Sequence, residues 1–223
     1  QLDITKYSTD AEAVRKATDR VALLTPIAKA YLTDKALDSA LEAQMCFGGH
    51  GYIREWGMEQ CIRDLRISQI YEGTNGVQAI DLIGRKTTKC KGAYIAEYIA
   101  EIREFAQGLD DSLTIKTATL ETCQQLEDIT SFIVEQSQLN PDFANSIAVD
   151  YLHAVGLLSF VYMYARISKA AATKDDSYFQ NKLVLANYYI AKVLPDLSAR
   201  IQRIQAGAEL VMQLPEDYFT AQA

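Results

Sequence analysis

Proline and glycine are scarce in this sequence, four and eleven in 223 residues, and alternating β-branched segments are hard to find. Sheet folds depend on frequent turns, so the scarcity argues against a β architecture. Cysteine is sparse too: Cys46, Cys61, Cys90 and Cys123 stand 15, 29 and 33 residues apart, without a CxxC pair. With only His50 and His153 to join them, neither a structural zinc site nor a disulfide scaffold is expected, and no metal is assigned. Clusters of basic residues are missing as well, and the net charge is −7, which argues against nucleic acid as a partner. No signal-peptide pattern stands at the start, so reduced cysteines in a cytoplasmic compartment are the expectation. The most apolar run, Tyr151 to Ala165, contains a histidine and is shorter than the roughly 20 residues a membrane-spanning helix needs. It reads as a buried core helix, and no membrane span is expected.

What the sequence does have is helical periodicity, at 49% hydrophobic and 23% charged residues, the balance of a globular protein. Residues 10–22 read as a first, fairly polar helix. Thr25-Pro26 reads as an N-cap with proline at the first helical position, opening a long helix faced by Ile27, Ala30, Tyr31, Leu37, Leu41 and Met45. Residues 47–57, FGGHGYIREWG, hold four glycines and predict a loop. A helix at 58–68, the break YEGTNG at 71–76, and a helix at about 75–88 follow. Beyond Lys91, segments at 92–107, 112–138, 141–173 and 176–208 predict an antiparallel bundle, with Pro195 kinking or splitting the last helix. Ile115, Thr119, Cys123, Leu126, Ile129 and Ile133 fall on one stripe of its second helix. The predicted fold is all-α: one helical domain at 1–90 packed with a second helical bundle at 91–223. The first residue is glutamine and the helical pattern begins almost at once; a fragment of a longer protein is expected, removal of a methionine being the other reading.

Chemistry concentrates between Gln44 and Arg85, where a glycine-rich loop, a charged helix with Arg63, Asp64 and Arg66, and Tyr71-Glu72-Gly73-Thr74-Asn75-Gly76 precede a helix start. Glu72 lies in a break from which its side chain can project into a cleft. The helix beside it offers backbone N–H groups and a positive dipole end, a seat for phosphate or a developing oxyanion. A carboxylate with such donors suits proton abstraction beside a carbonyl. Taken alone, the same glutamate also fits a simple helix-dipole interaction.

The string GGHGYIREWGMEQCIRDLRISQIYEGTNGVQAIDLIGRK resembles the signature near the carboxyl terminus of acyl-CoA dehydrogenases: GGxGY, then RDxR, then IYEGT before a helix. The matching residues are Gly48, Gly49, Gly51 and Tyr52, then Arg63, Asp64 and Arg66, then Ile70 to Thr74. The upstream TPIAKAYLTDKALDSALEAQ resembles the preceding family helix, so the likeness covers about residues 20–88.

This resemblance implies an FAD-dependent parent that dehydrogenates an acyl-CoA at the α,β-position. Glu72 aligns with the general base that removes the α-proton while the β-hydrogen leaves as hydride to the flavin N5; its backbone N–H would hold the thioester oxygen. Gly48, Gly49, Thr74 and Asn75 are the implied cofactor-binding residues, the glycine loop approaching the FAD of a neighbouring subunit in a homo-oligomer. The implied partners are the acyl-CoA and an acceptor such as an electron-transfer flavoprotein. Arg63 and Asp64 read as a structural ion pair. The chain departs from the family at Met45, where many members carry glutamine (Gln44 lies one residue earlier), at Gly76 in place of a polar residue, and at Arg85, one step beyond an arginine some members carry. TNGVQAIDLIGRK followed by more than a hundred further helical residues resembles the larger members with an added helical domain, methylthiopropionyl-CoA dehydrogenase-like proteins among them. Beyond residue 95 no catalytic constellation is seen: His153 reads as a hydrogen-bonded bundle residue, and Tyr162, Tyr164, Tyr188 and Tyr189 as core or interface. Family members complete the flavin site with further domains, so the isolated 223 residues are expected to be inactive. The alternatives are an acyl-CoA oxidase and a non-catalytic helical assembly module; the glutamate in YEGT speaks against the latter.

Overall fold

In the computed structural model, residues 1–215 and Tyr218 are described, and every regular element among them is helical. The all-α prediction therefore holds for these residues. The chain divides into two compact units, Gln1–Leu82 and Ile83–Ala223.

The first unit is organised by one long helix. Helix α1 (Leu2–Tyr7) leads to α2 (Ala11–Cys46), whose 36 residues rise about 54 Å. Its start is fixed by Asp10, whose carboxylate accepts the N–H groups of Glu12 at 2.9 Å and Ala13 at 3.2 Å. The helix start expected at Thr25-Pro26 is not used. α2 runs straight through Pro26, and the Thr25 hydroxyl donates back to the Val21 carbonyl at 2.7 Å. Burial is the reason: Leu23, Pro26, Ile27, Ala30 and Tyr31 lie three and four residues apart and all are buried, so the proline sits within the apolar stripe. That stripe stabilises α2 by more than one missing hydrogen bond costs. The C-terminal end of the expected face departs from prediction, since Leu41 and Met45 are exposed. Against α2 pack α1 and α3 (Met58–Ser68); between α2 and α3 the glycine-rich stretch winds through two short 3₁₀ turns, Gly48–Tyr52 and Arg54–Trp56. Helix α4 (Asn75–Ile83) follows.

The second unit opens on a π turn, Gly84–Thr88, and continues through α5 (Ala93–Gln107), α6 (Thr114–Leu139), α7 (Phe143–Ala171), α8 (Ser177–Tyr188), α9 (Asp196–Ala206) and the short α10 (Glu209–Met212). α5 packs on α6, α6 on α7 and α7 on α8 across short connections, as helical hairpins do, and α9 returns to α7. All six residues of the predicted α6 stripe, from Ile115 to Ile133, are buried. They meet α7, where Tyr151, Leu152, Val155, Leu158 and Val161 are buried in turn. By length and composition α7 would cross a membrane, a longer helix than its apolar run implied, yet 67% of its most apolar window is buried inside the protein. Packing against α6, α8 and α9 accounts for that apolarity. The last long segment is interrupted as Pro195 predicted: α8 gives way to a π turn at Tyr189–Val193, and α9 begins after the proline.

Several polar groups inside this unit are paired, whereas the buried Ser137 hydroxyl is not. Tyr151 is fully buried with its hydroxyl 3.0 Å from that of Thr130, and burial pushes its phenol up to about 12 against the opposing pull of the Thr130 and Thr87 hydroxyls. The Tyr189 hydroxyl donates to the Leu157 carbonyl at 3.0 Å. Arg103 of α5 grips Glu127 of α6 through two bonds of 2.6 Å, and Asp150 of α7 accepts from Arg200 and Arg203 of α9 at 2.9 Å each. His153 is buried in α7, and of the tyrosines read as core or interface Tyr162 and Tyr189 are buried while Tyr188 is exposed.

Candidate active site

The YEGT turn is a narrow loop closed at its base. Helix α3 ends as Ile70 and Tyr71 donate to the Ile67 carbonyl at 2.9 and 3.2 Å. Five residues later the Asn75 N–H returns to the Gln69 carbonyl at 3.1 Å, so Ile70 to Thr74 project as one lobe. At its tip Glu72 has φ +57° and Gly73 φ +82°. Glutamate is rarely left-handed, and the conformation costs about 1–2 kcal/mol. The Gln78 side chain spans the lobe by donating Nε2 to the Glu72 carbonyl at 2.9 Å. The Glu72 side chain is exposed. Thr74, also exposed, accepts the Val77 N–H on its hydroxyl at 3.3 Å, an N-cap contact at the start of α4.

The lobe is tied to α2 by residues that sequence reasoning passed over. Asn75 Nδ2 lies 2.6 Å from Asp34 Oδ1, 3.0 Å from Thr33 Oγ1 and 3.1 Å from the Ala30 carbonyl; its Oδ1 accepts from Lys29 Nζ at 2.7 Å. Asp34 Oδ1 also accepts from Gln69 Nε2 at 2.6 Å, and Gln69 Oε1 accepts from Arg66 at 2.6 Å. Asn75, expected at the cofactor, thus directs its side-chain amide and its N–H into the protein. The missed signal was spacing: Lys29, Thr33 and Asp34 stand four and five residues apart, a polar strip on α2 beside its apolar stripe.

The glycine-rich loop is closed by Gln44, whose Nε2 donates to the Gly51 carbonyl at 3.0 Å. Gly48 takes φ +59°, and a Cβ at either Gly48 or Gly49 would meet nothing within 4 Å, leaving this backbone open to approach. His50 meets the edge of Trp56 at 5.3 Å. Around these elements Met45, Phe47, Tyr52, Trp56, Ile70 and Tyr71 are exposed, more apolar surface than singly scattered residues account for. On α3 the expected Arg63–Asp64 pair does not form. Arg63 bonds Glu59 at 2.7 Å and Asp64 accepts from Gln60 at 2.6 Å, because neighbouring residues diverge on a helix while those four apart meet. Two cavities, about 370 Å³ between α5 and α6 and about 410 Å³ between α6 and α9, are lined by residues of the second unit, none of them a residue expected to do chemistry.

Known families match nearly the whole of this arrangement. Residues 4–87 match the family described as acyl-CoA dehydrogenase, C-terminal domain, and residues 98–215 the one described as acetyl-CoA dehydrogenase C-terminal like. The chain belongs to the acyl-CoA dehydrogenase family. Among characterised members of that family, a butyryl-CoA dehydrogenase of Syntrophomonas wolfei is 27% identical over 90% of this chain and 35% of its own length. The 3-methylmercaptopropionyl-CoA dehydrogenase of Ruegeria pomeroyi is 29% identical over 91% of this chain and 36% of its own. The fold is shared with an acyl-CoA dehydrogenase of Bacillus anthracis solved with FAD, at a TM-score of 0.58 and 18% identity, over 97% of this chain and 38% of that one. The chain therefore spans little more than a third of the acyl-CoA dehydrogenases it matches.

Proposed function

We propose that the protein containing this chain is an FAD-dependent acyl-CoA dehydrogenase, with Glu72 as the general base that removes the α-proton of the thioester. One observation carries the reading. Within the stretch matching the family, Glu72 alone of its lobe's non-glycine residues is held left-handed, with its carboxylate exposed at the head of α4. Backbone strain of this kind persists where the surrounding structure over-determines it, as at a site of chemistry. The Glu72 carboxylate takes the α-proton, and its own backbone N–H, at the positive end of α4, stabilises the charge developing on the thioester oxygen. The flavin, when bound, accepts the β-hydrogen as hydride. Gly48 and Gly49, where nothing stands in the place of a Cβ, and the exposed Thr74 fit residues that approach it.

The exposed aromatic and aliphatic side chains around the loop favour burial against a neighbouring subunit and the rest of the protein. Residues 1–90 then form part of the active-site domain and 91–223 its helical extension. Electrons leave for a separate acceptor, an electron-transfer flavoprotein. The test uses the full-length flavoprotein, mixed anaerobically with butyryl-CoA, 3-methylmercaptopropionyl-CoA and other thioesters. Bleaching of the flavin band in wild type that is lost in Glu72→Gln, with flavin still bound, is the expected result. Bound flavin that no acyl-CoA bleaches would sink the proposal.

A further inference from the structure

Glu72 is held at the end of a hydrogen-bonded relay that starts on α2. The relay converges on Asn75, where two one-way partners fix the amide: the Lys29 ammonium can only donate, at 2.7 Å, and the Asp34 carboxylate can only accept, at 2.6 Å. The same Asp34 oxygen takes Gln69 Nε2 at 2.6 Å. Gln69 and Asn75 are the two feet of the lobe, joined to one another by their backbones at 3.1 Å. One carboxylate thus clamps both feet to α2, and the lobe between them has only Ile70 to Thr74 in which to place the Glu72 backbone.

We propose that Asn75 and Asp34 form a positioning pair for the reaction: they act through the lobe, holding Glu72 in its left-handed conformation, without touching substrate or flavin themselves. This inference rests on the reading of Glu72 as the base. Charge-assisted bonds to a partly buried carboxylate are among the stronger ones available, and they constrain direction as well as distance. With the clamp cut, Glu72 is free to relax toward ordinary backbone angles, and its carboxylate leaves the α-carbon. A displacement near 1 Å at a reacting group costs on the order of 100-fold in rate.

The experiment measures the rate of flavin bleaching at saturating butyryl-CoA or 3-methylmercaptopropionyl-CoA in the full-length flavoprotein, expressed per bound flavin. In Asn75→Ala the limiting rate is expected to fall by about 10- to 100-fold, while half-saturation and flavin content stay near wild type. Asn75→Asp alone sets two carboxylates face to face and is expected to be at least as slow. The exchange Asp34→Asn with Asn75→Asp again opposes one amide to one carboxylate and is expected to recover much of the rate, which a general loss of stability would not do. A wild-type limiting rate in Asn75→Ala, with Glu72→Gln inactive, overturns the positioning role alone. So does an exchange variant that keeps its flavin and is no faster than Asn75→Asp. Bleaching that survives in Glu72→Gln overturns the identity of the base and this inference with it.

Discussion

Gly51 and Gln44 are locked together from both directions: Gln44 Nε2 donates to the Gly51 carbonyl at 3.0 Å, and a Cβ on Gly51 would stand 2.6 Å from the Gln44 carbonyl oxygen. The obstruction is backbone and cannot swing aside. Gly51→Ala is therefore expected to destabilise the protein by about 1–3 kcal/mol, the usual cost of overpacking, whereas Gly49→Ala, which meets nothing, is expected to be near neutral in a urea titration. In the full-length flavoprotein the order reverses for Gly49: a bulky Gly49→Leu is expected to lower flavin content if this backbone approaches the cofactor. Unchanged flavin in Gly49→Leu would remove the glycine loop from the binding site.

The backbone at Glu72 yields a separate test of stored strain. Two substitutions delete the carboxylate but differ in what the φ of +57° costs them. Alanine keeps the left-handed penalty of about 1–2 kcal/mol, while glycine escapes it and loses about 0.5–1 kcal/mol to chain entropy. Glu72→Gly is expected to be more stable than Glu72→Ala by about 1 kcal/mol, and equal melting temperatures would show that the conformation is not strained.

What was legible in the sequence was whatever obeys local rules. The α6 stripe from Ile115 to Ile133 is buried as its spacing required, Met58–Ser68 is helical within its predicted bounds, and the last segment breaks at Pro195. Thr25-Pro26 misled because a cap signal is local and the burial of Leu23, Pro26 and Ile27 on a tertiary face is not. The contacts of Asn75 were illegible for the same reason: its partners Lys29 and Asp34 lie more than 40 residues away, beyond the reach of any window along the chain. Glu72 stands out in the sequence only through its surrounding string of residues; its left-handed backbone angle has no signature there.

Three of the four cysteines are expected to separate cleanly by reactivity. Cys46 and Cys61 are exposed, whereas Cys123 is buried on the α6 stripe and burial pushes its thiol up to about 11. The thiolate is the nucleophile, so Cys123 carries almost none near neutral pH. Mass spectrometry after brief iodoacetamide treatment of the native chain is expected to find Cys46 and Cys61 modified and Cys123 untouched until urea is added. Modification of Cys123 at the rate of Cys61 would mean that the bundle opens far more readily than its packing implies.

The same burial makes the second unit sensitive to alkali. Cys123 rises from an ordinary 9.0 to about 11, and Tyr151 from 10.0 to about 12, so the folded state holds both protons more tightly than the unfolded one does. The stability this supplies is fully present below pH 9 and is lost as pH rises through the folded values; in the window from about 9 to 12 each group removes up to about 1.4 kcal/mol per pH unit. Tyr151→Phe separates the two contributions. It gives up the bond to Thr130, which costs about 1 kcal/mol at neutral pH, and leaves no phenol to ionise. Its stability curve, measured by urea unfolding, is therefore expected to start lower than that of wild type and to fall less steeply above pH 10. Parallel curves for the two proteins across that range would mean that Tyr151 ionises as easily in the folded chain as in the unfolded one.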